Sequence, residues 1–166
     1  MPLSTIDSSG LSPAGIARTN MYAGAVLQVV GSFSSTPVIN NTSTYVDTGL
    51  SVTITPTSVS NKVLVQATVP WNLGTNAGGG QLQINIVRNS TELASNIVYN
   101  NVSIAIVQLG GTQVISWLDS PATTSATVYK IQFKELAISS RYGNTSVMPT
   151  LNASQYGMIQ ALEIAG

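Results

Sequence analysis

The feature that most constrains this chain is a two-residue alternation of apolar and polar side chains along much of its length. Successive side chains of a β-strand point to opposite faces, so this period is typical of strands with one buried face. The alternation is strict at Leu82, Ile84 and Ile86. Comparable segments occur at residues 25–30, 52–55, 62–71, 102–109, 112–118, 127–133 and 158–164. No segment shows a helical stripe of apolar residues longer than two turns.

Turn-forming residues separate these segments. Pro56 ends one strand, and Asn89-Ser90 follows another. The pair Gly110-Gly111 lies between two apolar runs and predicts a two-residue hairpin, because both residues can adopt positive φ. About eight short strands with such turns predict an all-β protein: an antiparallel β-sandwich or jelly roll over residues 23–166.

The last strand has its own predicted orientation. The alternation places Met158, Gln160, Leu162 and Ile164 on one face. Glu163 then lies on the opposite face, where solvent or a Lys partner would satisfy its carboxylate.

Residues 1–22 predict an extended N-terminal arm. This segment contains Pro, Gly, Ser, Thr and Asn, without a sustained period of two or 3.6 residues. It cannot bury enough apolar surface to fold alone. Four spaced apolar residues are its candidate partner-binding anchors: Leu3, Ile6, Leu11 and Ile16.

Charge is scarce. Only 7% of the residues are charged, and the formal net charge is zero, whereas an average soluble domain has about 25% charged residues. The absence of a basic cluster argues against binding to nucleic acid or to an anionic membrane. Interface cores are also depleted in charge, which favours a subunit that assembles with copies of itself. A monomer with a polar, uncharged surface is the alternative.

The sequence offers little for catalysis. It contains no His and no Cys, which excludes Ser-His and Cys-His nucleophile pairs and zinc sites built on these ligands. Asp47 and Asp119 are the candidates for a glycosidase carboxylate pair, but each lies beside residues typical of turns, which favours turn capping. The acids are too scattered for calcium. The Trp and Tyr residues offer a sugar-stacking surface, although core or interface positions are commoner. We therefore expect no enzyme activity, catalytic residue, metal or cofactor.

Several segments resemble bacteriophage virion structural proteins of the cyanophage and marine phage type. They are Gly24–Val30, Tyr45–Pro56, Ser60–Val65, Thr127–Phe133 and the ending Leu162–Gly166, together with the opening Leu3–Ile6. The resemblance spans nearly the whole chain, but each motif is short and consists of ordinary strand residues. It implies a virion β-sandwich protein that forms a homotrimer, and it implies no catalytic residue.

Two places in a virion fit this resemblance. A capsid decoration (cement) protein needs only a compact trimer and an arm that grips its neighbours, and it would bind the major capsid protein. A short tail fibre or receptor-binding knob would instead bind a host surface glycan. The short chain and its arm favour cement. In either case we expect the protein in the virion, after assembly in the host cytoplasm.

Overall fold

The computed structural model of the chain describes residues 22–75, 80–100, 107–136, 146–147 and 156–166. The described part is all-β, as predicted. Its strands, in chain order, are β1 (Val26–Ser34), β2 (Val38–Ile39), β3 (Val46–Ile54), β4 (Lys62–Thr75), β5 (Gly80–Arg88), β6 (Thr91–Asn100), β7 (Val107–Asp119), β8 (Thr127–Glu135), β9 (Ser146–Val147) and β10 (Gly157–Ile164). Within these residues, no helix is long and apolar enough to span a membrane.

The strands form two antiparallel sheets. In the first sheet the long strands lie in the order β1-β10-β4-β7, and the short strands β9 and β2 continue beside the far half of β4. The second sheet has the order β3-β8-β5-β6. Numbered along the chain, the eight long strands therefore have the orders 1-8-3-6 and 2-7-4-5. This is the jelly-roll arrangement, which closes two Greek keys face to face.

The core lies between the sheets and is built by the predicted alternation. Every second residue of β4, β5 and β8 is buried there: Val63, Val65, Ala67 and Val69; Leu82, Ile84 and Ile86; Tyr129, Ile131 and Phe133. From β3, Leu50, Val52 and Ile54 join the same cluster. The inward face of these strands was therefore predicted correctly.

The predicted turn at Asn89-Ser90 is present, but the predicted hairpin at Gly110-Gly111 is wrong. Arg88 pairs with Thr91 across a two-residue turn in which Asn89 has a φ of 53°. The Gly pair instead lies inside β7, opposite Trp71 and Asn72 of β4. A Cβ atom on Gly111 would lie 2.9 Å from the Trp71 ring. The missing side chain thus makes room for the indole and does not serve a turn.

In β10 the face chosen from the sequence is not the core face. Ile159, Ala161 and Glu163 are buried, whereas Met158 is exposed and Leu162 is only partly buried. Both faces of this strand carry apolar residues, so alternation alone does not identify the inner one. The reversal also places Glu163 inside the protein.

Candidate functional site

Residues 1–21 of the predicted arm lie outside the described residues. They include the four predicted anchors, Leu3, Ile6, Leu11 and Ile16. Their role stays a prediction. The described chain starts at Tyr22, and its first strand begins four residues later.

Asp47 and Asp119 do not converge. Asp47 lies on the outer surface of the second sheet, where its carboxylate accepts hydrogen bonds from Lys130 Nζ at 3.0 Å and Gln132 Nε2 at 2.7 Å. Asp119 is buried on the inner side of that sheet, against Tyr129. The second sheet therefore separates the two carboxylates. The turn-capping interpretation is also wrong, because both side chains bind residues of other strands.

Asp119 belongs to a charged cluster inside the sandwich. Arg88 Nη1 lies 2.9 Å from each of its carboxylate oxygens, and the Tyr129 hydroxyl donates to Oδ2 at 2.6 Å. Burial raises the pKa of Tyr129, and its hydrogen bond to Asp119 raises that pKa further. The phenol therefore stays protonated and serves as a donor. Arg88 and Tyr129 come from the second sheet, so the cluster joins the two sheets.

Glu163 forms a second buried acidic cluster, which the sequence did not reveal. Its side chain has 0% exposure. Oε1 accepts hydrogen bonds from Thr57 N at 2.5 Å, Thr57 Oγ1 at 2.8 Å and Asn61 Nδ2 at 2.6 Å. Gln28 Nε2 donates to Oε2 at 2.6 Å. None of these donors carries a charge, so the predicted Lys partner is replaced by neutral groups.

The donors around Glu163 keep it ionised. Burial by itself would raise its pKa, but the hydrogen bonds from Asn61, the Thr57 backbone, Gln28 and the Thr57 hydroxyl outweigh burial and lower the pKa below its ordinary value. Exposed Asp47 follows the same logic: desolvation opposes its ionisation, and the bonds from Lys130 and Gln132 lower its pKa overall.

Three acids are buried among the described residues, Asp119, Glu135 and Glu163, and two of them, Asp119 and Glu163, flank one residue. Val63 of β4 pairs with Glu163 of β10 on one side and with Asp119 of β7 on the other. At about 4.8 Å between strands, their backbones lie about 10 Å apart. Each carboxylate is buried and engaged by protein donors, so this pair offers no place for a sugar. No group of three or more potential metal ligands occurs among the residues the structure describes.

The described aromatic side chains lie both in the interior and on the surface, and two of the exposed ones form a pair. Tyr129 is fully buried, and Trp71 is partly buried against the core. Phe33 and Tyr156 are 77% and 64% exposed. Their rings meet edge to face, with centroids 6.4 Å apart. They line a surface hollow together with Ser35.

The outer face of the first sheet presents exposed apolar side chains. Strand register aligns three rows across β1, β10, β4 and β7. We call these rows the apolar face. They are Val29, Leu162, Leu64 and Leu118; Gly31, Gln160, Gln66 and Ser116; and Phe33, Met158, Thr68 and Val114.

Several apolar side chains of the apolar face are strongly exposed to solvent. Val29 is 58% and Val114 is 61% exposed, and the outer rows are almost entirely apolar. The middle row is neutral, with Gln160 Nε2 donating to Gln66 Oε1 at 3.0 Å. No residue in the three rows is charged; Lys62 lies one row beyond them, paired with Ile164. Two exposed apolar rows on either side of a neutral polar row, with no charge in any of the three, mark a candidate interaction site.

Comparison with solved structures gives matches of low sequence identity to viral proteins. No protein-family model matches the chain, and no curated protein matches it. The infectious bursal disease virus VP2 subviral particle aligns with a TM-score of 0.41 and 10% identity, covering 84% of this chain and 33% of that one. The Gx strain structure of infectious bursal disease virus aligns with a TM-score of 0.45 and 11% identity, covering 94% of this chain and 38% of that one. The Gt strain structure aligns with a TM-score of 0.35 and 12% identity, covering 87% of this chain and 37% of that one.

The chain thus spans about a third of the length of these viral chains. Since every TM-score is below 0.5, we draw neither a family nor a function from them.

Proposed function

We propose that this protein is a non-enzymatic structural subunit of a virus particle. The observation that carries the proposal is an uncharged, exposed apolar face on a jelly-roll domain. Such a face is costly for a lone soluble domain and useful to a subunit that buries it. Jelly rolls are common in viral capsid domains, although they also occur in lectins and cupins, and a fold alone does not define a function.

Two further features support this function. The chain resembles phage virion proteins over most of its length, and its candidate carboxylates are separated or engaged by protein groups. Within the virion, we propose a trimeric capsid decoration protein. Its sandwich would form the trimer, and its arm would attach to the major capsid protein through Leu3, Ile6, Leu11 and Ile16.

Burial of its apolar anchors would give the arm its affinity for a neighbouring subunit. Each anchor would contribute about 1–2 kcal/mol if buried in a neighbour's groove, less the cost of ordering the arm. Three arms on one trimer would act together, so that weak single contacts give tight attachment.

The test locates the chain in particles of the virus that encodes it. We expect cryo-electron microscopy to place it on the head, and a Leu3→Ala/Ile6→Ala/Leu11→Ala/Ile16→Ala variant to form the wild-type oligomer but not to attach. The matched control, Ser4→Ala/Thr5→Ala/Ser8→Ala/Ser9→Ala, should attach normally. Absence of the chain from particles would refute the proposed function; attachment of the anchor variant would refute only the role of the arm.

A receptor-binding knob is the second candidate, favoured by one observation. The exposed Phe33–Tyr156 pair offers aromatic surface on which a host glycan can stack. A location at the tail, together with loss of host-cell binding in Tyr156→Ala, whose side chain lies outside the three rows of the apolar face, would favour this function over capsid decoration.

A further inference from the structure

We propose that the apolar face is the contact between copies of this chain, with the faces of three copies turned toward a common three-fold axis. The inference rests on the proposed function and specifies the surface by which that subunit assembles. Its basis is the composition, charge and size of the face.

Charge limits what can cover the apolar face. A charged partner surface would lose solvation there without meeting any opposite charge, since the three rows contain none. Neutral apolar surface can pack there without that penalty. Among the surfaces described for this chain, the same face on another copy meets this requirement.

The outer face of the second sheet is not a neutral apolar surface. One of its rows consists of Asp47, Gln132, Asn85 and Ser95, and the neighbouring positions of β8 are Lys130 and Lys134. Covering this face would desolvate the Asp47–Lys130 ion pair. The two sheets of the sandwich therefore have different roles: the first is suited to burial and the second to solvent.

The middle row gives the contact a polar centre. The Gln160–Gln66 hydrogen bond uses one donor of Gln160 and the acceptor oxygen of Gln66. The Gln66 amide group and the Gln160 oxygen can then bond to their counterparts on a facing copy. A polar centre between two apolar rows would fix how the copies align, because a shifted alignment would bury amides against apolar side chains.

The size of the face is adequate. Five residues along each strand and four strands side by side give a projected area of about 330 Å². The three faces of a trimer together bury about 1,000 Å² in projection, and more in accessible surface because side chains stand off the sheet. A specific contact needs about 1,000 Å² in total.

The experiment adds two charges to either face and measures the oligomer mass. Val29→Lys/Val114→Lys places one Lys in each apolar row, at opposite edges of the face. Ser51→Lys/Thr53→Lys is the control; it adds the same charge at two exposed positions on the outer surface of β3. Light scattering and sedimentation then compare the proteins over a range of concentrations, with circular dichroism to verify folding.

We expect the wild type and the control to form oligomers with masses that are multiples of 17.3 kDa. The apolar-face variant should be a folded monomer, with its dissociation constant raised at least about 100-fold by two buried, unpaired charges. If that variant does not fold, Val29→Ser/Val114→Ser removes apolar contact without adding charge, and its dissociation constant should rise about tenfold.

A wild-type monomer at about 100 μM would overturn the inference. So would an apolar-face variant that keeps the wild-type mass, or a control that dissociates equally. These outcomes are separate from the proposed function. If the chain is found in particles while the apolar-face variant still oligomerises, the function stands and this contact is wrong. If oligomers form through this face but particles lack the chain, the contact stands and the virion role is wrong.

Discussion

Two of the three buried acids that the structure describes, Asp119 and Glu163, occupy equivalent places on either side of Val63 and are stabilised in opposite ways. Asp119 reaches across the core to a guanidinium and a phenol of the other sheet. Among the described residues, Glu163 accepts hydrogen bonds from neutral donors of its neighbouring strand and of the segment between β3 and β4. A chain with few charges thus buries one acid with a cation and another without.

The difference shows that hydrogen bonds can replace a counter-ion. A buried carboxylate costs several kcal/mol unless its charge is compensated. At Asp119 a cation compensates it, and loss of the acid leaves the Arg88 guanidinium without its partner. At Glu163 the compensation is spread over four donors, and loss of the acid leaves no unpaired charge. The two sites should therefore respond differently to substitution.

The largest effect is expected for Asp119→Ala. It leaves Arg88 and the Tyr129 hydroxyl without their acceptor inside the sandwich. Breaking a buried ion pair costs about 3–5 kcal/mol, and we expect about 3 kcal/mol because the Arg88 side chain keeps 27% exposure. Urea unfolding measures the loss. Asp47→Ala is the control: its ion pair is exposed, and its removal should cost less than about 1 kcal/mol. Equal losses would show that burial does not distinguish these pairs.

A smaller loss is expected for Glu163→Gln. The amide keeps one oxygen for Thr57 and Asn61 but turns an NH₂ group toward the donating Gln28 Nε2. One buried donor is then left unsatisfied, at a cost of about 2 kcal/mol in the free energy of unfolding. Glu92→Gln, at an exposed residue bonded to Asn85, should change stability by less than about 0.5 kcal/mol. A Glu163→Gln protein as unstable as Asp119→Ala would contradict the proposed difference.

The smallest effect is a pH dependence specific to Glu163. Because folding lowers its pKa below the ordinary value of 4.5, its ionised form stabilises the protein fully above pH 4.5. That stabilisation is lost as pH falls through the folded-state pKa. Wild-type stability should therefore fall more steeply than that of Glu163→Gln as the pH falls below 4.5. Asp47 titrates in both proteins and cancels in the comparison. Parallel curves would show that Glu163 has no lowered pKa.

Sequence alternation predicted the core correctly where only one strand face is apolar. Leu82, Ile84 and Ile86 alternate with Gln and Asn, and they are fully buried. In β10, by contrast, Met158 and Leu162 face outward and Ile159 faces inward, so the pattern has no unique solution. The same exposed apolar residues that make this strand ambiguous belong to the proposed contact surface.

The Glu163 cluster could not be predicted from local patterns. Its donors Gln28, Thr57 and Asn61 lie 135, 106 and 102 residues away along the chain. Only the sheet order brings them together. One signal was available: a single acid within an apolar strand either faces solvent or must find partners. The Gly110-Gly111 error has a similar cause, because the Trp71 ring that requires glycine lies on a different strand.

The position of β10 has a consequence for protein synthesis. Strand β10 leaves the ribosome after the other described strands, yet it lies between β1 and β4. Until β10 has been synthesised, the edges of β1 and β4 that pair with it have no partner. Among the long strands, only β5 and β6 pair as a tight hairpin. Nascent chains thus carry two open strand edges, which are templates for pairing with a neighbouring chain on the same message. Folding dominated by such distant pairings is slow, so crowded polysomes and high expression temperature should favour inclusion bodies, and slower translation should favour soluble protein.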